Sequence, residues 1–401
     1  MRRVILPAMT TAYSLYLHIP FCRHRCAYCD FNTYAGLDTL IPAYCQALAR
    51  EITLAGQAAG SLLSVHTVFF GGGTPSLIPV NLLAPVFESI GRAFHLTGDA
   101  EISLEANPGT VDFSYLQNLR ALGVNRLSFG VQSANPEELS LLEREHDFPT
   151  VIRSVTAARR AGFANINLDL IFGLPHQTLQ TWQNTLEAAL RLHPEHLALY
   201  ALTLEHGTPM QHWAARGLIP EPDPDTAAEM YEWAAARLAQ AGFVQYEISN
   251  WASAPAFACR HNLQYWHGDA WLGFGAGAHG YLPGLRTVNT LAPRAYINRL
   301  HPNAAALPFP RTPATAEVRN LTPEDERGEW LMMRLRLTES GVPTAEFARR
   351  FGLDFAKTYS RPIERLQKQG LVEWIDGKNG KALRLTERGH LLANRVFVAF
   401  I

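Results

Sequence analysis

The sequence contains few cysteines, no long apolar run and no strong excess of charge of one sign. Only 5 of its 401 residues are cysteine, and an odd number of cysteines is a poor basis for a set of disulfide bonds. No apolar run reaches the roughly 18–20 residues that a membrane-spanning helix needs. The formal net charge is −1, so no overall basic field would attract nucleic acid. We therefore expect a protein that binds no nucleic acid and makes at most peripheral contact with a membrane.

The amino terminus also lacks the features of a signal peptide. The apolar stretch Val4–Met9 is short and is interrupted by Pro7, and no small-residue cleavage site follows it. The sequence therefore predicts a cytoplasmic location. Thiols stay reduced in that compartment, which suits cysteines that serve as metal ligands.

Short β-rich runs alternate with amphipathic stretches over the first half of the chain. The predicted strands are Ser14–Ile19, Val65–Phe70, Glu101–Glu105, Arg126–Val131, Asn165–Phe172 and His196–Leu202. The predicted helices between them are Pro42–Ala55, Val80–Phe94, Tyr115–Leu122, Pro136–Glu145, Thr150–Ala161 and Thr178–Leu192. Such alternation indicates an α/β protein with a parallel sheet. Six units predict a partial TIM-like (β/α)6 barrel, with functional groups at the carboxyl ends of its strands.

The composition divides the chain into a barrel, a linker and a smaller domain. Residues 1–300 contain the predicted barrel, and within them residues 250–290, rich in glycine, aromatics and histidine, are predicted to be an ordered functional loop region. Residues 301–314 are predicted to be a linker, because prolines and consecutive alanines dominate them. Residues 315–401 are predicted to form a C-terminal α+β domain that resembles a winged helix. Its small basic excess does not favour DNA binding, so we expect a packing role.

The elements predicted for that C-terminal domain are three helices, a hairpin and a last helix. The three helices are Pro323–Leu335, Thr344–Arg350 and Asp354–Gln369, and the hairpin strands Leu371–Ile375 and Ala382–Leu385 are joined by Asp376–Lys381. A further helix, Thr226–Gly242, is predicted before the loop region.

Three cysteines lie close together directly after the first predicted strand. Cys22, Cys26 and Cys29 have the spacing C-x3-C-x2-C. Three thiolates on one loop can bind three irons of a cubane cluster, and the fourth iron is then open to a small chelating ligand. A structural zinc site is the alternative, although it needs four ligands and would have to recruit His24. Plain buried cysteines are a second alternative, but burial does not require this spacing.

This cysteine motif resembles the signature of the radical S-adenosylmethionine (SAM) superfamily. The resemblance implies a [4Fe–4S] cluster on Cys22, Cys26 and Cys29, with SAM bound to the cluster. It also implies that the glycine-rich turn after the second strand meets the amino group of SAM, at Gly72, Gly73 and Thr74. The other positions that it implies contact SAM are Tyr16, Tyr28, Glu105, Gln132, Arg144 and Asp169.

The chain is most similar to the branch of this superfamily that contains coproporphyrinogen III dehydrogenases and heme chaperones. The dehydrogenases have a fourth cysteine two positions after the third, where this chain has Phe31. The sequence H-N-x-x-Y-W, which begins at His261, resembles a mark of the chaperones. The resemblance implies that His261 is an axial heme ligand, with His267, His279 and Cys259 as rival ligands nearby. The motif can instead simply close a loop over the barrel.

The expected function is that of a heme chaperone. It would bind heme, carry the cluster with exchangeable SAM, receive electrons from a donor protein, and pass heme to acceptor hemoproteins such as respiratory ones. Whether it also cleaves SAM as an enzyme stays open at this point. One alternative is oxygen-independent coproporphyrinogen III dehydrogenation, and another is a non-catalytic protein with structural zinc.

Overall fold

The computed structural model describes residues 12–377 and 380–401. The first strands are β1 Tyr13–Ile19, β2 Phe21–Cys22, β3 Tyr34–Ala35, β4 Leu63–Gly72, β5 Phe94–Ala106, β6 Arg126–Gln132, β7 Ile166–Phe172 and β8 His196–Ala201. They are followed by β9 Val244–Glu247, β10 Asn250–Ala252, β11 Trp271–Phe274, β12 His279–Leu282, β13 Leu285–Asn289 and β14 Thr315–Asn320. The helices among them are α1 Ile41–Ala59, α2 Val80–Ala93, α3 Phe113–Ala121, α4 Pro136–Leu141, α5 Phe148–Arg160, α6 Leu179–Leu190, α7 Pro209–Ala215, α8 Pro224–Gln240, α9 Arg260–His267 and α10 Pro293–Arg299.

The predicted partial barrel is confirmed. Twelve strands form one sheet in the order β14-β13-β12-β11-β1-β4-β5-β6-β7-β8-β10-β9. The six predicted strands are neighbours in the predicted order, and all of their pairings are parallel. A seventh strand, β11, also pairs in parallel with β1, so the parallel part of the sheet runs from β11 to β8.

The parallel strands alternate between an apolar outer face and a polar inner face. In β7, Ile166, Leu168 and Leu170 are fully buried and belong to the main hydrophobic core. Between them, Asn167 and Asp169 point to the other face. Side chains alternate along a strand, so one face packs on the helices while the other lines the barrel interior. This pattern brings polar side chains inside the barrel, where a ligand can meet them.

The sequence predicts a loop region over residues 250–290, but the structure has regular elements there. These residues contain β10, α9 and the strands β11 to β13, which extend the sheet beyond the parallel part. These strands are only three to five residues long, so their alternation of apolar and polar residues is too brief to recognise. The predicted helix Pro136–Glu145 is also shorter, because α4 ends at Leu141 and Glu143 then adopts a φ of 53°.

In its described residues, the C-terminal unit combines six helices with a small sheet. Its helices are α11 Pro323–Arg334, α12 Thr344–Phe351, α13 Phe355–Thr358, α14 Ser360–Lys368, α15 Glu387–Leu391 and α16 Ala393–Phe397. Its strands are β15 Val342–Pro343, β16 Val372–Gly377 and β17 Gly380–Leu385, in the order β15-β17-β16. Helices followed by this hairpin give the winged-helix-like arrangement that was predicted. The predicted helix Asp354–Gln369 is divided into α13 and α14 at Tyr359.

The predicted linker and domain boundary differ from the structure in one respect. β14 pairs antiparallel with β13 in the large sheet, so residues 315–320 belong to the barrel unit and the C-terminal unit begins after them. Five of the six residues of β14 are exposed, so no apolar pattern marked it as a strand. The stretch Met1–Thr11, which held the signal-peptide argument, and residues 378–379 of the hairpin connection lie outside the described residues.

The two units contact each other through α9 and β9. Trp330 on α11 donates from its indole N–H to the carbonyl oxygen of His267 at 3.0 Å. Arg336 forms an ion pair of 2.8 Å with the buried Glu247 carboxylate at the end of β9. None of the helices in the described part of the chain has the length and apolar character needed to cross a membrane.

Candidate functional site

A cavity of about 420 Å³ lies at the carboxyl ends of the parallel strands. Small-molecule sites in proteins have volumes of this order. Eleven of the thirteen predicted site residues line it, namely Cys22, Cys26, Cys29, Tyr28, Gly72, Gly73, Thr74, Glu105, Gln132, Arg144 and Asp169. The structure therefore brings together residues that lie almost 150 positions apart in the sequence.

The three cysteines of the motif are free thiols on one wall of this cavity. The Thr74 hydroxyl lies 3.7 Å from the Cys22 sulfur, and an Arg144 Nη1 lies 3.3 Å from the Cys26 sulfur. Burial raises the pKa of the Cys22 thiol to about 11. A bound metal favours the thiolate and reverses that preference, so the free thiol is uncharged and ready to exchange its proton for a metal.

The position of His24 bears on the alternative of a structural zinc site. In the part of the chain that the structure describes, no group of three or more His, Cys, Asp or Glu side chains is placed to hold a single metal ion. His24, the residue that a zinc site would have to recruit, instead hydrogen-bonds to the Glu143 carboxylate at 3.0 Å. Thiolates that each bind a different iron of a cubane can lie further apart than the ligands of one ion. The contact of His24 with Glu143 therefore favours a cluster on the three thiols over a zinc site that uses His24 as its fourth ligand.

The glycine-rich turn after β4 packs directly on the cysteine loop. A Cβ on Gly73 would lie 2.6 Å from the carbonyl oxygen of Phe21 and 3.1 Å from the sulfur of Cys22. Gly72 has a φ of 112°, which side chains rarely allow, and its N–H donates to Glu105 at 3.0 Å. The turn thus exposes backbone at the cavity, as a bound amino acid moiety requires.

Two carboxylates face the cavity, Glu105 from β5 and Asp169 from β7, the strands on either side of β6. Burial, followed by the charge of Asp169, raises the pKa of Glu105 to about 8. Burial also raises the pKa of Asp169, although that carboxylate accepts hydrogen bonds of 2.8 Å from both Ser128 and Asn167. Carboxylates held this way can accept hydrogen bonds from the hydroxyls or the ammonium group of a ligand, which would also compensate their burial.

A glutamine and an arginine complete the polar wall. Arg144 donates from Nη2 to Asn107 and to the carbonyl oxygen of Gly130, both at 2.7 Å. Among the described residues, its Nε and the Oε1 of Gln132 are buried without a hydrogen-bond partner. Gln132 also has a φ of 67°, an uncommon conformation that occurs at ligand-binding positions. Buried polar atoms without partners in a cavity fit a polar ligand such as SAM.

Tyr16 and His261, the other two predicted site residues, do not line this cavity. Tyr16 lies inside the barrel, where its hydroxyl group is 3.0 Å from Nδ1 of His18. His261 is 1% exposed and stacks on Phe69. Its Nδ1 is 2.8 Å from the hydroxyl of Thr67 and its Nε2 is 2.9 Å from the hydroxyl of Tyr265. Both ring nitrogens are therefore engaged, and burial lowers the pKa of this histidine to about 3.

The rival heme ligands have different surroundings. Cys259 is fully buried with its sulfur 3.6 Å from a Glu101 carboxylate oxygen. His267 contacts the guanidinium of Arg334 through Nδ1. His279, at the start of β12, is exposed to solvent. Of these residues, His279 is the one whose side chain is exposed, so a ligand could approach it from solvent.

Several polar residues that hold the site residues in place were not predicted from the sequence motifs. Asn107 bridges Arg144 and the hydroxyl of Thr74, and Ser128 and Asn167 hold Asp169. Asn107 follows Glu105 by two positions at the end of the same strand, so its place at the cavity could have been predicted from strand geometry. Asn167 precedes Asp169 by two positions on β7 and faces the same side of the sheet, so its place beside Asp169 could also have been predicted from strand geometry.

Comparisons with known proteins identify two matching domain families and several similar proteins. Residues 16–189 match the family model of the radical SAM superfamily, and residues 321–392 match that of the HemN C-terminal domain. The chain is 37% identical over 391 residues to the heme chaperone HemW of Bacillus subtilis, which covers 97% of this chain and 99% of that protein. It is 38% identical over 395 residues to the heme chaperone HemW of Mycobacterium tuberculosis, covering 98% and 95%.

Among solved structures, the fold is similar to coproporphyrinogen III oxidase (HemN) from Escherichia coli, a radical SAM enzyme. The TM-score is 0.79 at 25% sequence identity, and the match covers 97% of this chain and 90% of that chain. The HemW proteins are more similar to this chain in sequence than HemN is, and each alignment covers this chain and the HemW protein almost from end to end. The chain therefore belongs to the HemW family within the radical SAM superfamily, whose characteristic cofactors are a [4Fe–4S] cluster and SAM.

Proposed function

We propose that this chain is a heme chaperone, which binds heme and transfers it to acceptor hemoproteins while it carries a [4Fe–4S] cluster with exchangeable SAM. The observation that carries the proposal is the match to relatives named heme chaperones, which extends over at least 95% of both chains. A match of this extent includes the barrel and the C-terminal unit together. It is therefore stronger support than a shared cysteine motif, which many radical SAM proteins with other functions have.

The cavity supports the cofactor part of this proposal. Cys22, Cys26 and Cys29 would each bind one iron, and the remaining iron would take the amino and carboxylate groups of SAM. When bound, the cluster and SAM together supply one-electron chemistry. The Arg144 guanidinium would pair with the carboxylate of SAM as a charge-assisted contact, and Asp169 would accept from its ribose hydroxyls.

The remaining cavity residues would hold the rest of the ligand. Backbone at Gly72 and Gly73, with the hydroxyl of Thr74, would meet the amino group of SAM. Glu105 and Gln132 would accept hydrogen bonds from SAM, and Tyr28 would close the wall beside the cysteine loop. Tyr16 lies one layer below in the barrel and would act on SAM only through its neighbours.

The competing function is oxygen-independent dehydrogenation of coproporphyrinogen III. The HemN enzyme shares the fold, which supports this alternative. Against it stands Phe31, which is 63% exposed at the cavity where the dehydrogenases have a fourth cysteine. A reductant- and SAM-dependent anaerobic assay decides the question, because formation of a divinyl porphyrinogen product would show that the chain is a dehydrogenase.

The proposed heme ligand is His261, and its surroundings set a condition on binding. Iron can bind an imidazole nitrogen only if the hydrogen bond between that nitrogen and its hydroxyl partner, Thr67 or Tyr265, is released. Heme binding through His261 therefore requires α9 to shift. His279 needs no such movement, so the variant His279→Ala is the matched comparison for His261→Ala.

The experiment is a heme titration of the anaerobically reconstituted protein, followed by its absorption spectrum. The proposal predicts saturable binding with about one heme per chain and a shifted Soret band. Loss of the shift in His261→Ala supports His261 as the ligand, and loss in His279→Ala alone transfers the assignment to His279. Absence of saturable binding to the parent protein would contradict the chaperone function. The identity of the acceptor hemoproteins, the electron donor, the cytoplasmic location and any membrane contact stay predictions.

A further inference from the structure

A line of hydrogen bonds, some buried and some half-buried, runs through the barrel interior from the start of α9 to the cavity. At one end, the N–H of Cys259, the residue that precedes α9, donates to the hydroxyl oxygen of Tyr246 on β9 at 3.3 Å. The Tyr246 hydroxyl lies 2.8 Å from Nε2 of His196 on β8. Nδ1 of His196 lies 2.6 Å from Oδ1 of Asn167 on β7. The Asn167 amide nitrogen then donates to the carboxylate of Asp169 at 2.8 Å.

The donors and acceptors along this line have one consistent direction. The Asp169 carboxylate accepts, so the Asn167 group that faces it is the amide NH₂, which also donates to Ser128 at 2.7 Å. The Asn167 oxygen therefore faces His196 and accepts a hydrogen bond from its Nδ1–H. Nε2 is then unprotonated and accepts from the hydroxyl of Tyr246. Each group can satisfy its neighbours in only one tautomer and one amide orientation.

Burial makes this arrangement rigid. The relative exposure is 0% for His196, 3% for Asn167 and 4% for Ser128, so water does not compete for their hydrogen bonds. Burial and the nearby Arg126 guanidinium hold the pKa of His196 well below its usual value, which keeps the ring neutral. A neutral ring is what the single tautomer requires. Removal of one hydrogen-bonding group from the line therefore leaves the donor or acceptor of the next residue without a partner.

Tyr246, whose side chain begins this line, also contacts the C-terminal unit. Thr338 donates from its backbone N–H to the carbonyl oxygen of Tyr246 at 3.3 Å, and from its hydroxyl to the carbonyl oxygen of Gln245 at 2.6 Å. At the other end of α9, Arg350 donates to the carbonyl oxygen of Gly268 at 2.9 Å. The C-terminal unit thus contacts both elements from which the line starts.

We propose that Tyr246, His196 and Asn167 are positioning residues that hold Asp169 for SAM and couple the SAM cavity to α9 and the C-terminal unit. The proposal rests on the proposed function at one point, namely the contact of Asp169 with SAM. Thermodynamic linkage makes this coupling between the SAM cavity and α9 reciprocal. Order imposed on Asp169 by SAM stabilises the start of α9, and displacement of α9 weakens SAM binding.

The test compares SAM affinity in the reconstituted full-length protein and its variants. Tyr246→Phe removes one hydroxyl from the line, and we expect SAM to bind roughly three- to tenfold more weakly, which is the effect of one buried hydrogen bond. Tyr231→Phe is the matched control, because that hydroxyl donates to the carbonyl oxygen of Ile248 at 2.9 Å and lies outside the line. Asp169→Asn provides the reference for direct loss of the SAM contact.

Histidine variants separate positioning from general stability. His196→Leu breaks the line, whereas His196→Asn keeps an amide nitrogen near the position of Nδ1 and should recover part of the SAM affinity. If His196→Leu does not fold, Tyr246→Phe carries the test alone. Iron content and thermal unfolding of every variant show whether the cluster site and the fold are intact.

Hydrogen exchange provides a readout that a merely structural role would not change. SAM should slow amide exchange in residues 244–247 and 259–263 of the parent protein and lose that effect in Tyr246→Phe. Unchanged SAM affinity in Tyr246→Phe, or an equal loss in Tyr231→Phe, overturns the proposal. Unchanged affinity in Asp169→Asn overturns its starting point as well. A heme titration of the same samples tests the chaperone function separately, since its outcome does not depend on the line of hydrogen bonds.

Discussion

Gly73 gives the sharpest test of how the cysteine loop is held. An alanine Cβ at this position would lie 2.6 Å from the carbonyl oxygen of Phe21, 2.9 Å from that of Ile19 and 3.1 Å from the sulfur of Cys22. The two closest atoms are backbone oxygens, which cannot rotate away as the end of a long side chain can. The Gly73 N–H also donates to the Ile19 oxygen at 2.8 Å, so an outward shift of the turn would break this hydrogen bond.

The variant Gly73→Ala should therefore lower the free energy of unfolding of the cluster-free protein by about 1–3 kcal/mol, the usual cost of overpacking. It should also lower the iron bound after reconstitution, because relief of the contact displaces Cys22. Urea unfolding measures the first effect, and iron and sulfide analysis measures the second.

Gly91→Ala is the matched control. Gly91 lies within α2, and a Cβ there would have no atom within 4 Å. Alanine is favoured over glycine in a helix by about 0.5–1 kcal/mol, so this variant should be slightly more stable and should bind iron as the parent does. Equal stability and equal iron content in Gly73→Ala would refute the reasoning about the turn.

Three further predictions concern buried and capping carboxylates. Folding raises the pKa of Glu105 from 4.5 to about 8, so the protonated side chain stabilises the fold at low pH, and this contribution is lost as the pH rises through that interval. Urea unfolding of Glu105→Gln should therefore show a smaller decline of the unfolding free energy between those pH values than the parent protein shows. Glu51→Ala leaves buried donors on Tyr296, Thr312 and other neighbours without an acceptor and should cost about 3–5 kcal/mol of unfolding free energy, whereas a loss under 1 kcal/mol would contradict that network. Asp112→Ala removes the cap of α3 and should cost about 1 kcal/mol by thermal unfolding, with iron binding unchanged.

The sequence was sufficient to predict the parallel strands and most of the cavity. The cysteine motif and the glycine-rich turn are local patterns that follow strands, and carboxyl ends of parallel strands meet at one edge of the sheet. The six predicted strands are neighbours in that order, and their polar residues face one another across the cavity. Each of these residues therefore belongs to a local pattern at the carboxyl end of its own strand, and the order of the strands brings the patterns together.

The position of His261 could not be predicted in the same way. Apart from Tyr265, its contacts come from Thr67 on β4 and Phe69 two residues further, which are almost 200 positions away in the sequence. Nothing in the local motif distinguishes a histidine that faces a ligand from one held inside the barrel. The same holds for β11, whose pairing with β1 joins segments about 250 residues apart.

The most direct test of the central claim is heme transfer. The protein is loaded with heme, freed of excess heme, and mixed with an apo-hemoprotein that has a distinct Soret band. A chaperone should give up its heme at a rate above that of spontaneous heme loss, and the acceptor spectrum should appear as the donor spectrum disappears. If the acceptor fills no faster than it does from a heme-loaded protein with no chaperone function, this chain binds heme without delivering it, and the proposed function is wrong.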